Sequence, residues 1–468
     1  MSELMLDDGP SRRLSLRDQI DCVPVYVVWE ITLACNLKCV HCGSRAGHRR
    51  AKELSTSEAI DVVRQLAELG TREISIIGGE AFVRKDWLTI VRAIHDHGMD
   101  CTMQTGGYKL SRQMIESAAR AGLLGLGVSL DGLQPLHDRL RGVPGSYYEA
   151  LRVLDDCRSV GLIASVNTQI TSTIMPQLPE LMDVIIDAGA KYWQIQLTVA
   201  MGNAVDNDEI LLQPYELSTL MPLLADLHRN GRERNLLLLP GNNIGYFGPY
   251  DVLWRGPDRG YYGGCPAGQN AIGLEADGTL KGCPSLATER YGAGDVRDTP
   301  IAELWATHPA LQFNRNRGVE DLWGFCRGCY YAEACRGGCT WTADSLLGRR
   351  GNNPYCHHRV LNLAERGIRE RIVKIENAPA LPFAWGAPTT RLSEPPALSR
   401  VRICPAAVAY PKRFPTSELV IFTSATDRSL SPVLGAPPEM TYTAPAIAGP
   451  PGAPTIRSRR VSPLPTAP

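Results

Sequence analysis

Thr32-Leu33-Ala34-Cys35-Asn36-Leu37-Lys38-Cys39-Val40-His41-Cys42 closes the first strand-like run of the chain. Its cysteines follow a C-x3-C-x2-C spacing. Three thiolates on so short a loop suit three irons of a four-iron cluster and leave the fourth iron without a protein ligand. An iron with open positions binds a small molecule, whereas ligation by four cysteines favours electron transfer. Taken alone, the spacing leaves a zinc knuckle or unrelated thiols as the alternative. His41 lies between two of the cysteines and reads as a packing residue or a contact behind the ligands.

Outward from this loop the chain alternates between two periods. Val25–Thr32 is an apolar run with β-branched residues. Ser57–Leu69 carries apolar positions at Ile60, Val63, Leu66 and Leu69, a helical spacing, and Gly70 stops it. Glu73–Ile77, Cys101–Thr105, Gly125–Leu130, Ala164–Ile170 and Trp193–Val199 read as strands. Trp87–His97, Arg112–Arg120, Tyr147–Val160 and Leu178–Asp187 read as helices between them. About six βα repeats imply parallel strands. The predicted fold class is therefore α/β, a partial (β/α)6 barrel of TIM type, with its chemistry at the carboxyl ends of the strands. Beyond Gly202 the pattern breaks: Tyr215–His228 looks helical, Leu236–Leu239 strand-like, and Leu361–Ile375 like a closing helix.

The chain has 468 residues and 14 cysteines, with 49 basic and 49 acidic side chains. Balanced charge gives no reason to expect nucleic acid or an anionic membrane as partner. Residues 1–24 hold Asp7, Asp8, Arg12, Arg13, Arg17 and Asp18 and no apolar core of a signal peptide. No run approaches a membrane span. The expected location is cytoplasmic, where clustered thiols read as metal or redox ligands before disulfides. The charge is unevenly divided. Residues 377–468 contain 18 of the 34 prolines and a net charge of +5, so residues 1–376 carry −5. Proline density without apolar periodicity predicts a disordered tail.

Seven further cysteines lie between 265 and 356, as Cys265-x12-Gly278-x4-Cys283, then Cys326-x2-Cys329-x5-Cys335-x3-Cys339, then Cys356. Little regular structure is predicted between them. Cys22, Cys101, Cys157 and Cys404 remain outside both groups. Cys101 and Cys157 are expected in the core.

The first motif, followed by Gly78-Gly79-Glu80 at the end of the next strand, resembles the radical S-adenosylmethionine (SAM) superfamily. The seven-cysteine pattern is similar to the SPASM extension found on members that mature peptides. The resemblance covers about residues 25–360. It implies a SAM-binding 4Fe-4S cluster on Cys35, Cys39 and Cys42, with SAM contacts from Gly78, Gly79, Glu80, Thr105, Ser129 and Gln169. It also implies two auxiliary iron–sulfur clusters, one on Cys265, Cys283 and Cys339, the other on Cys326, Cys329, Cys335 and Cys356. Some members supply a fourth cysteine just before the position of Cys265, and residues 240–264 contain none. Asp258 or Tyr261 is a candidate in its place, or the iron stays open. Ser129-Leu130-Asp131-Gly132 with His137-Asp138 and Arg141-Gly142 resembles a stretch of peptide-modifying members, in which His137 and Arg141 either brace the loop or touch a ligand.

The resemblance implies reduction of SAM to methionine and a 5′-deoxyadenosyl radical, which abstracts hydrogen from an unactivated carbon. The expected activity is oxidative modification of a ribosomally made peptide. Cys39–Gly47 resembles a subgroup linked to precursors with a Gly-Asp-Leu motif. Two other enzymatic readings stay open. An anaerobic sulfatase-maturing enzyme would carry an acid after Cys283, where Pro284 stands here. A haem or tetrapyrrole side-chain enzyme is resembled by Trp29-Glu30-Ile31-Thr32 and by Asn243–Tyr250. An iron–sulfur electron carrier or zinc scaffold would not need Gly78-Gly79-Glu80. Expected partners are the precursor peptide, a separate peptide-recognition protein or docking through 205–260, and a reductant such as flavodoxin or ferredoxin. The expected division is an N-terminal extension (1–24), the barrel (25–204), a bridging segment (205–260), the auxiliary-cluster domain with its closing helix (261–376) and the tail (377–468).

Overall fold

The computed structural model describes residue 12, residues 14–259 and 261–374, and the backbone of 401–407 and 419–420. Contacts divide the chain at 422/423, and everything beyond lies outside the described residues.

Six strands follow the predicted order: β1 (Tyr26–Glu30), β2 (Glu73–Ile77), β3 (Asp100–Thr105), β4 (Leu123–Ser129), β5 (Ile163–Ile170) and β6 (Tyr192–Leu197). Each pairs in parallel with the next. The sheet runs further than the repeats suggest. β7 (Leu237–Pro240) continues it in parallel beside β6, and β8 (Ala271–Leu274) lies parallel to β1 on the other side. Antiparallel β9 (Thr279–Lys281) and β10 (Gly294–Asp295) finish that edge. The order is β10-β9-β8-β1-β2-β3-β4-β5-β6-β7, an open curved sheet rather than a closed barrel. The chain between the later cysteines is thus more regular than predicted, because β8 borrows its pairing from β1 and needs no local pattern.

Burial alternates along β3, β5 and β6. One set of side chains, including Met103, Val166, Trp193 and Ile195, joins the apolar core under the helices. The other set is half-buried and polar: Thr102 and Gln104, Asn167 and Gln169, Gln194 and Gln196. Asn167 donates its amide to Gln104 across Gly127. On β3, β5 and β6 these side chains are uncharged hydrogen-bonding groups; at the amino end of the same face Thr102 donates to the buried Glu73 carboxylate at 3.1 Å, which pairs with Arg12.

The helix Thr56–Glu68 starts at a capping box. Ser55 accepts from the Glu58 amide at 3.3 Å, and the Glu58 carboxylate accepts from the Ser55 amide at 2.7 Å. Its buried stripe is Ala59, Val62, Val63 and Leu66; Ile60, predicted on that stripe, is 37% exposed. The expected helix over 361–375 ends early. Helix His357–Glu365 gives way at Gly367 (φ 70°) to β11 (Arg369–Lys374), whose Ile372 and Val373 suit an extended chain. Within 377–468 only the backbone of β12 (Val401–Ala407) and β13 (Leu419–Val420) is described, as an antiparallel sheet with β11.

A buried charge network locks β1 to β8 and β9. Arg50 donates to Glu30 at 2.8 Å and lies within 3.6 Å of Glu275 and 3.5 Å of Asp277, while Lys281 pairs with Glu275. Burial holds Glu30 above the usual carboxylate range against the pull of Arg50. Removing one member of such a network leaves an uncompensated buried charge. Arg50→Met is therefore expected to cost about 3–5 kcal/mol of stability, read as a lowered denaturation midpoint. An unchanged midpoint would refute that role.

Candidate functional site

The loop after β1 is shaped by backbone contacts. The Cys35 amide donates to Gly47 O at 3.2 Å, and the Gly47 amide donates to Leu33 O at 3.0 Å. Thr32 and the Leu33 amide hold the Glu53 carboxylate, both at 2.9 Å. Trp29, Glu30, Ile31 and Thr32 are all buried in this scaffold. The four-residue signature thus serves the loop that carries Cys35 and does not present a face to a ligand.

Each of the three sulfurs meets an N–H group. The Leu37 amide points to Cys35 Sγ at 3.4 Å, the Ala46 amide to Cys42 Sγ at 3.4 Å, and the Arg141 guanidinium to Cys39 Sγ at 3.7 Å. Burial pushes the Cys35 thiol up to about 12 and Cys39 to about 11, the latter against the Arg141 charge. Thiols this high are poor nucleophiles. They ionise against a metal cation, and N–H donors to their sulfurs suit that state. Among the described residues no three His, Cys, Asp or Glu side chains converge closely enough for a lone metal ion.

Behind Cys39 lies a chain of charges. Arg141 pairs with Asp131, which also meets His41 Nε2 at 3.0 Å and accepts the Gln169 amide at 2.8 Å. The Arg141 and His41 contacts hold Asp131 ionised although it is fully buried. His41 thus stands behind the cysteines, as expected. His137 accepts the Asp131 amide at 3.0 Å and braces the loop.

Gly78 and Gly79 have a packing task in the structure. A Cβ on Gly78 would lie 2.3 Å from Thr32 O, and one on Gly79 would lie 2.2 Å from Ala34 O and 2.7 Å from Cys35 Cβ. The glycines let the end of β2 press against the cysteine loop. Glu80 is buried beside them, accepting from the Thr105 hydroxyl and from the Gly106 amide at 2.6 Å. Burial raises it to about 7 against those donors. Thr105 is thus occupied with Glu80. Ser129 and Gln169 stand half-buried at the ends of β4 and β5.

Sequence reading missed the clamp on the far side of the loop. The Asn203 amide donates to Cys42 O at 3.0 Å, and its side chain donates to Cys39 O at 2.9 Å. Asn207 donates to Val40 O at 3.0 Å, and Arg45 reaches Asn203 and Asp206, both at 2.7 Å. Trp341, from the later cysteine region, donates to Met201 Sδ at 2.8 Å. The only local signal was Gly202, where the repeat pattern stops.

The later cysteines form two sets. Cys326, Cys329, Cys335 and Cys356 line one pocket with Phe247, Phe325, Tyr331 and His358. Cys265, Cys283 and Cys339 act on one another electrostatically. Burial pushes Cys283 up to about 11 and Cys335 and Cys339 to about 12. Tyr246 and Phe247 pack with Cys339, Cys335 and Cys356. The aromatic stretch 243–250 is therefore part of the wall between the sets, and Asn243 anchors it to Leu197 at 2.9–3.2 Å. Cys101 and Cys157 lie in the apolar core, and Cys404 lacks a described side chain. Asp258 lies outside the residues with described side chains, and Tyr261 is 51% exposed.

Residues 29–187 match the family model of the Radical SAM superfamily, and residues 265–330 match that of SPASM, an iron–sulfur cluster-binding domain. The chain is 26% identical over 356 residues to the AdoMet-dependent heme synthase of Methanosarcina barkeri, covering 72% of this chain and 97% of the relative. It is 29% identical over 363 residues to the PqqA peptide cyclase of Bradyrhizobium diazoefficiens, covering 74% and 90%. Streptococcus suis SuiB bound to S-adenosylmethionine shares the fold at a TM-score of 0.56 and 19% identity, over 72% of this chain and 76% of that one. Among the described residues no helix is long and apolar enough to cross a membrane.

Proposed function

The chain is an enzyme with a radical SAM domain followed by a SPASM domain, its cofactors SAM and iron–sulfur clusters, and from that premise we propose that it oxidatively modifies a side chain of a ribosomally made precursor peptide. The observation that supports the peptide reading is the group of amide side chains on β3, β5 and β6. Gln104, Asn167, Gln169, Gln194 and Gln196 offer donors and acceptors that suit a peptide backbone. A tetrapyrrole with several carboxylates calls for Arg or Lys, and none stands at these positions. The peptide cyclase relative supports the same reading; the heme synthase relative supports the tetrapyrrole alternative.

In this proposal Cys35, Cys39 and Cys42 hold the first cluster, and Cys265, Cys283 and Cys339 with Cys326, Cys329, Cys335 and Cys356 hold two more. When bound, the first cluster and SAM supply one-electron reduction and hydrogen-atom abstraction. The chain's own groups set the stage. Arg141 donates to Cys39 and, held by Asp131, places fixed charge beside the sulfur, while His41 meets Asp131 from the other side. Glu80, oriented by Thr105 and Gly106, accepts the SAM ammonium. Ser129 and Gln169 meet the remainder of SAM. A reductant such as flavodoxin or ferredoxin supplies the electron, and a separate recognition protein presents the precursor.

The test is anaerobic incubation of the reconstituted enzyme with SAM, reductant and either a candidate precursor or coproporphyrin. A peptide product lighter by two hydrogens, formed with 5′-deoxyadenosine, is expected. Porphyrin turnover with no change in the peptide would overturn the proposal. Glu80 adds a pH dependence. With its carboxyl raised to about 7, the ionised form prevails only above that pH. SAM affinity is expected to fall as pH drops below 7, approaching about tenfold per unit. Equilibrium dialysis of the cluster-loaded enzyme measures this, and Glu80→Gln should bind weakly at all pH values. A pH-independent wild type would refute the assignment.

A further inference from the structure

The later cysteines divide into four and three, and the set of three is one thiolate short. Tyr262 is a candidate for the missing donor. It lies three residues before Cys265, is 3% exposed, and its hydroxyl has no hydrogen-bond partner. A buried phenol without a partner is costly to desolvate, so the group calls for an explanation. Its ring packs in one group with Tyr246, Phe247 and Cys339, against which Cys335 and Cys356 also pack. The titratable groups that act on its hydroxyl are Tyr246, then Cys265 and Cys339, then Cys335.

The position of this side chain is built. The Tyr262 amide donates to Asp251 Oδ2 at 3.1 Å, and the Phe247 amide donates to the same atom at 3.2 Å. Asp251 is 1% exposed, so it ties the two aromatic segments together from inside. The Tyr246 ring meets the Tyr262 ring edge-on with centroids 4.6 Å apart, and Arg255 Cζ lies 5.2 Å from the Tyr262 centroid. The other nearby phenols are already engaged. Tyr246 donates to Asn242 O and accepts the Cys339 amide at 3.3 Å. Tyr261 is half-exposed and stacks on Phe247 at 5.3 Å.

We propose that Tyr262 Oη is the fourth protein ligand of the auxiliary cluster held by Cys265, Cys283 and Cys339. This rests on the reading of those cysteines as a cluster site. Ligation forms one O–Fe bond and breaks the phenolic O–H bond; the proton leaves to solvent, and no electron moves. Metal binding releases protons from thiol ligands in the same way. With the fourth position filled, this cluster offers no open iron to substrate, a state suited to passing electrons.

The test uses the full chain with Cys35, Cys39 and Cys42 all changed to Ala, reconstituted anaerobically with iron and sulfide. Resonance Raman spectra should show tyrosinate ring modes enhanced through an iron charge-transfer band. Tyr262→Phe in that background should lose them and shift the electron paramagnetic resonance signal of one reduced cluster. Tyr246→Phe should keep them. Tyr262→Cys should lose them while retaining full iron, which separates loss of the ligand from loss of the fold. Full iron with unchanged Raman and resonance spectra in Tyr262→Phe would overturn the proposal alone. Iron only at the four-cysteine set would overturn the cluster reading with it.

Discussion

Cys35→Ala is expected to reduce 5′-deoxyadenosine formation by at least about a thousandfold, equivalent to more than about 4 kcal/mol of activation free energy. The substitution removes one of three thiols that a single short loop brings together, and no fourth thiol stands ready to replace it. Its other effects should be small. The loop keeps its backbone contacts, because Cys35 N–H···O=C Gly47 and the Asn203 clamp do not use the sulfur. The later seven cysteines are untouched, so the auxiliary iron and its absorption should persist. Cys101→Ala is the matched control. It removes a fully buried thiol from the apolar core beside β3 and should cost stability but not cleavage. Equal loss of activity in the two variants would refute the role of Cys35. Deoxyadenosine by chromatography, iron content and thermal midpoint together read the outcome.

What the sequence disclosed follows the range of the interactions involved. The strands β1 to β6 were legible because short apolar, β-branched runs, alternating in β3, β5 and β6, are written into a few adjacent residues, and their observed ends lie within two residues of the predicted ones. Cys35, Cys39 and Cys42 were legible for the same reason, since the group they suit is spanned by one loop. The Gly78-Gly79 pair was legible as a motif but not in its task, which depends on carbonyls more than 40 residues away. The Asn203 clamp was not legible, because a contact across 164 residues leaves no periodic trace. Neither was β8, whose partner β1 lies far upstream. Tyr261 and Tyr262 are alike as letters. Only the fold, burying one and leaving the other half-exposed, separates a surface stacking residue from an unpartnered phenol among cysteines.

The same packing argument yields the second large effect, from a pair of glycines that flank one cysteine. Gly79→Ala places a methyl group 2.2 Å from Ala34 O, 2.5 Å from Ala34 C and 2.7 Å from Cys35 Cβ. Two of these are backbone atoms, which cannot swing aside as the end of a flexible side chain would. Either β2 withdraws from the loop or Cys35 is driven from its place. The first course disturbs Glu80, whose amide donates to Ala34 O at 2.8 Å. The second separates Cys35 from its two companions. Both courses remove the arrangement needed for SAM cleavage, so activity should fall to background. Overpacking of this kind costs about 1–3 kcal/mol, so the thermal midpoint should drop without abolishing the fold. Gly47→Ala is the contrasting case. Gly47 bridges Ala34 and Cys35 through its backbone, yet a Cβ there meets nothing within 4 Å. It should retain most activity and all three clusters. First-cluster iron lost in Gly79→Ala and kept in Gly47→Ala would show that close backbone approach, and not glycine as such, shapes the cysteine loop. Wild-type iron and activity in Gly79→Ala would refute that account.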